Sequence, residues 1–128
     1  GIPVYLPLFY FPVSAVNHHP QLIENIDPEK EVFKSLDVGG KAVFTLYLCD
    51  KGTIDWIAVE ETNLPENEVK ILTQEFGKMR FSPAMQNGVP VASMMHIEVT
   101  VQTTPYEIIP LDEKTQPKVV LPPIRPEI

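Results

Sequence analysis

The sequence predicts a small α+β domain: an antiparallel sheet in the order β-β-α-β, one helix packed on one face, and extended proline-rich arms at both ends. Three observations lead there. Residues 41–49 and 94–102 alternate between apolar and polar with period two, the mark of strands with one buried face. Between them Val69, Leu72, Phe76 and Met79 recur at helical spacing. The 14 prolines, about twice the usual share, crowd residues 1–20 and 105–126 and leave only Pro65, Pro83 and Pro90 in the middle. The chain therefore divides into an N-terminal arm (1–38), a folded unit (39–103) and a C-terminal tail (104–128).

The arm reads as extended backbone with a strand around Ser14–Asn17. A short helix is expected from Pro28-Glu29-Lys30-Glu31, with Asp27 as cap and Pro28 at the first helical position, ending before Gly39-Gly40. In the first long strand Ala42, Phe44, Leu46 and Leu48 form the buried half of the alternation. Asp50-Lys51-Gly52-Thr53 supplies hairpin chemistry, with Gly52 free to take positive φ. The return strand, 54–61, has mixed periodicity around Trp56 and Ile57, which marks a bulge. Thr62-Asn63-Leu64-Pro65 turns the chain into a helix from about Glu66, whose acidic first turn (Glu66, Glu68) suits the positive end of the helix dipole. Lys78 and Arg80 fall near its negative end. Asn87-Gly88 is a tight-turn signal, and after it Met95, Ile97, Val99 and Val101 alternate with His96, Glu98, Thr100 and Gln102. Beyond Thr104 the prolines forbid a regular central strand, and an extended tail is expected.

Composition narrows the function. A formal charge of −7 argues against nucleic acid, which needs a basic stripe, and against charge-driven attachment to anionic lipid. No stretch reaches the ~18 unbroken apolar residues of a membrane-spanning helix. The apolar run 1–12 is broken by prolines and lacks the charged start of a leader, so the expectation is a mature or truncated chain. The lone cysteine, Cys49, excludes an intrachain disulfide and falls in a strand pattern, where a small buried hydrophobe is expected.

The chemistry of an enzyme is not written in these residues. His18 and His19 are adjacent and diverge on extended backbone, His96 is distant, and no metal or other cofactor is expected. No nucleophile motif and no glycine-rich loop before a helix occurs. Asp55, Glu60 and Glu61 lie close together, but in an acidic chain such carboxylates read as a solvated face.

The central block resembles the TonB C-terminal domain family. The resemblance is carried by Gly40 through Gly52, then Ile57-Ala58-Val59, then Met79-Arg80-Phe81-Ser82-Pro83-Ala84, then Asn87-Gly88-Val89-Pro90-Val91. The family pattern is a glycine, an alternating strand, an aspartate-x-glycine turn, a strand, a helix, an R-F-x-P-A element and G-x-P-V. It covers roughly residues 38–103, and is most similar to small TonB-like envelope proteins whose proline-rich arm replaces a long proline-lysine spacer. The tyrosine-proline that usually precedes the first strand has no clear counterpart here, and neither a basic spacer nor an anchor is in view.

The resemblance implies a non-enzymatic periplasmic module that binds an envelope protein or an outer-membrane receptor peptide by strand addition, in energy transduction or transport to the outer membrane. Any membrane attachment would come through an anchor not present in this chain. Elementary physics points the same way, since an edge strand carries unpaired N–H and C=O groups that an extended peptide satisfies. In the family that edge is the last strand, here Met94 to Gln102, so Met94, His96, Glu98, Thr100 and Gln102 are the expected partner-binding residues. Trp56, the sole tryptophan, falls on an outward parity and is expected to anchor an arm or a partner. Arg80 is expected to pair with Glu75, stack on an aromatic or contact the partner. Two alternatives compete with an open edge: the chain's own arm covers it, or the chain is a structural subunit or homo-oligomer whose arms lie on neighbours. The apolar tail residues Ile108, Ile109, Val119, Val120, Leu121 and Ile124 favour covered arms.

Overall fold

The computed structural model describes residues 9–101, together with the backbone of 107–110 and 119–120. In chain order the strands are β1 (Phe11–Pro12), β2 (Leu22–Glu24), β3 (Gly40–Leu48) and β4 (Ile54–Thr62), then helix α1 (Glu66–Phe76). They are followed by β5 (Arg80–Phe81), β6 (Ala84–Gln86), β7 (Val89–Val91), β8 (Ser93–Val101), β9 (Glu107–Pro110) and β10 (Val119–Val120). The main sheet runs β10-β9-β8-β3-β4, with β1 also paired to β8. The fold is a small α+β domain with a many-stranded sheet and one α-helix among the described residues.

The long strands form where the alternation places them. β3 and β8 pair antiparallel without a register shift, from Gly40 opposite Val101 to Leu48 opposite Ser93. Period-two geometry then puts Ala42, Phe44 and Leu46 beside Val99, Ile97 and Met95 on one face. The β3–β4 hairpin is less regular. Its register shifts twice, leaving Asp55 and Glu60 as the extra residues of two bulges, so the expected irregularity near Trp56 is real. Asn87 and Gly88 both take positive φ, 53° and 78°, as a two-residue hairpin turn between β6 and β7 requires.

Helix α1 lays Leu72 and Phe76 on the apolar face of the sheet, and Phe44 meets Phe76 edge to face at 6.2 Å. The N-terminal segment completes this core. Ile26, Phe33 and Leu36 are buried in it, and Phe33 is fully inaccessible. Glu68, buried on α1, accepts the backbone N–H groups of Asp37 and Val38 at 3.3 Å and ties the segment to the helix.

Local expectations for this segment need correction. Ser14–Asn17 is not a strand: a 3-10 turn spans Val13–Ala15, and backbone pairing resumes at His18, which exchanges hydrogen bonds with Met85. No helix starts at Pro28. Asp27 accepts the Glu29 N–H in a turn, and a single 3-10 stretch follows at Glu31–Ser35. Here tertiary pairing overrides a weak local propensity. β2 pairs with β5, and Gln21 and Ser82 exchange bonds across 61 positions. No helix among the described residues is long and apolar enough to cross a membrane.

Candidate protein-binding edge and aromatic face

The strand expected to be a bare edge is interior. β8 has β3 on one side, while its other side carries β1 in parallel at Ser93 and Met94 and β9 antiparallel from Ile97 to Thr100. The physical reason is the one that makes edges sticky: unpaired N–H and C=O groups are costly, and the arms supply extended backbone to meet them. Met94 lies between Tyr47 and Pro12, Glu98 between Val43 and Ile109, and Thr100 between Lys41 and Glu107. His96 is opposite Thr45. These four side chains share the face away from α1 and are half-buried there. Gln102 lies outside the described residues.

The opposite edge of the sheet is β4, and no named strand among the described residues pairs with its outer side. It is poorly suited to strand addition. The bulges at Asp55 and Glu60 break its ladder, and acidic residues occupy its far end. Glu60 accepts the buried Thr45 hydroxyl at 2.6 Å, and Glu61 lines a shallow cleft of about 240 Å³ with Lys41, Val43 and Glu98.

The helix-free face carries an aromatic strip. Trp56 stacks on Tyr47 with centroids 4.4 Å apart and planes 2° from parallel, and Tyr10 meets Tyr47 edge on at 5.0 Å. Tyr10 donates its hydroxyl to Asp55 Oδ2 at 2.8 Å. Burial first, then the bond to the Asp55 carboxylate and its charge, push the Tyr10 phenol well above its ordinary range, so it stays a donor. Trp56 remains 39% exposed. The outward parity expected of Trp56 is correct, and through Tyr47 it helps hold the N-terminal arm. Tyr10 and Asp55 were not legible as a pair, because 45 positions separate them. The signal available was Tyr47, an aromatic residue on the polar half of the β3 alternation.

Arg80 bonds neither Glu75 nor an aromatic ring; its guanidinium donates to Glu24 at 2.9 Å across the β2–β5 pair. Glu75 instead accepts Lys30 and Lys78. Cys49 is half-buried at the start of the β3–β4 turn rather than in the core, its Sγ 3.0 Å from Thr53 Oγ1. Beside that turn a cleft of about 370 Å³ is walled by Phe9, Phe11, Pro90 and Val91, with Asp50 and Asp55 in its lining. Among the described residues no group of three or more His, Cys, Asp or Glu is placed to hold a metal ion. No protein-family model matches the chain, and no curated protein matches it.

Proposed function

We propose that this chain is a non-enzymatic periplasmic protein-binding module of TonB C-terminal type, which engages an envelope partner by strand addition at the outer side of β8. One observation carries the reading: that side already takes extended backbone in both polarities, parallel from β1 and antiparallel from β9. The occupying strands span two and four residues, so each holds few ladder bonds, whereas β8 offers nine residues in unbroken register with β3. A longer partner strand gains more main-chain pairing than the arm segments it displaces. The bulged β4 edge discourages addition on the other side. A role in energy transduction or transport to the outer membrane follows from the motif resemblance of residues 79–91.

Amide exchange on the full chain tests this, with a synthetic peptide carrying the TonB-binding segment of an outer-membrane receptor. The peptide is expected to strip protection from Glu107–Ile109 while 97–100 stay protected. Unchanged exchange at saturation overturns the proposal. A structural subunit with arms exchanged between copies is the second reading, favoured because the β8–β9 pairing works equally well against a neighbour's β8. It would appear in light scattering as a stable dimer that retains β9 protection with peptide present.

A further inference from the structure

We propose that the cleft beside the β3–β4 turn is a second interaction surface, adjoining the β8 edge at Phe11 but distinct from its β9-covered stretch, and that it takes a basic proline-rich peptide in polyproline II conformation. The surface is aromatic and open. Phe9 and Phe11 meet edge to face at 4.8 Å and line the cleft with Asp55, whose carboxylate also accepts the hydroxyl of Tyr10 from the Tyr10–Tyr47–Trp56 strip. Phe9 is 60% exposed. Large rings left in water beside a cleft of about 370 Å³ are characteristic of recognition surfaces. Aromatic-lined grooves suit polyproline II chains, which arrive pre-extended, present flat pyrrolidine rings and lose little entropy on docking.

Charge decides the sequence of the occupant. Among the described residues the ionisable side chains in the cleft lining are Asp50, Asp55 and the Cys49 thiol, with no lysine or arginine. A carboxylate accepts several hydrogen bonds, so holding Tyr10 does not exhaust Asp55. Carboxylates beside aromatic rings select a guanidinium or ammonium group, and the whole-chain charge of −7 steers a basic peptide toward them. An anionic lipid surface would be repelled by the same carboxylates.

The probe is a synthetic proline-rich peptide of about ten residues with arginine at every third position, which places the arginines along one face of the polyproline helix. Emission from Trp56, the sole tryptophan, reports binding. Titration of the full chain is expected to give a saturable change in emission that weakens with salt. The Asp50→Lys variant, at an exposed turn position, is expected to bind roughly tenfold more weakly with an unchanged circular dichroism spectrum. Asp50→Asn serves if the reversed charge disturbs the turn, and Phe9→Ala should weaken binding similarly. The proposal is overturned by an absence of saturable response, by equal binding of a peptide with glutamate for arginine, or by wild-type affinity in both Asp50 variants. Release of β9 amides by this peptide would also overturn it, since binding would then be at the β8 edge.

Discussion

Gly52 and Gly88 both hold positive φ, +89° and +78°, yet they differ in what surrounds them. A Cβ at Gly52 would lie 1.7 Å from the Phe81 carbonyl oxygen, because Phe81 donates its N–H to the Gly52 carbonyl and pins the hairpin turn against β5. A Cβ at Gly88 meets nothing within 4 Å. Gly88→Ala should therefore cost about 1 kcal/mol, the price of a left-handed backbone alone. Gly52→Ala should cost on the order of 3 kcal/mol or more, since backbone must move as well. Urea unfolding of the two variants checks this, and equal losses would contradict the packing described. A second residue-scale prediction concerns Glu75, 8% exposed between Lys30 and Lys78 at 2.8 and 3.0 Å. The hydrogen bond from Lys30 holds its carboxyl below the usual range, against the opposing effect of burial. Between the folded and unfolded pKa values the unfolded chain binds more protons, so this contribution is present above about pH 4.3 and fades as pH falls through the folded value. The urea midpoint of the native protein should drop between about pH 5 and about pH 3, and Glu75→Gln should flatten that drop. Parallel pH profiles would mean the ion pair adds nothing.

Among the elements, β9 matters most because it covers the longest stretch of the β8 edge. Deleting residues 104–128 removes it and leaves Ile97–Thr100 with unpaired backbone, a template for a second chain. The shortened protein is expected to self-associate in sedimentation at concentrations where the full chain does not; a persistent monomer would show that β9 is not the edge's guard. The long elements β3, α1 and β8 were legible because each repeats its pattern, β4 because it returns from the Asp50–Thr53 hairpin turn, and Asn87-Gly88 carried its own turn chemistry. The short strands were not. β2, β5 and β6 span two or three residues, and their partners are fixed by contacts such as Gln21 with Ser82 that no local period encodes. Proline was the most misleading residue. Pro12 and Pro110 each end a short strand, and Pro90 lies in a two-stranded ribbon, positions where a missing N–H is tolerated. The prolines beyond Thr104, read as forbidding a regular central strand, left room for β9, which pairs with both β8 and β10. At the candidate site the orientation of Trp56 followed from parity, but the Tyr10–Asp55 contact that brackets it depends on how the N-terminal segment folds back.

At the scale of the molecule, the N-terminal segment is a wall of the core. Ile26, Phe33 and Leu36 share one buried cluster with Phe44 and Leu46 of β3, Val99 of β8 and Leu72 of α1. A sheet with a single helix leaves part of its apolar face open, and the segment around Phe33 closes it before the chain enters β3. The same segment reaches around to the far face, where Tyr10 packs on Tyr47, which in turn stacks on Trp56. Core and arm should therefore unfold together. Phe33→Ala removes a fully buried ring and is expected to cost about 3–5 kcal/mol, a large part of the about 5–15 kcal/mol available to a domain of this size. Trp56 lies on the opposite side of the sheet from that ring, which makes its emission a reporter of coupling rather than of local contact. In the variant the Trp56 transition and the far-ultraviolet circular dichroism transition should shift to lower urea by the same amount and remain superimposed. A Trp56 transition that stays at its native midpoint while the dichroism shifts would mean that the N-terminal segment and the sheet are separate cooperative units.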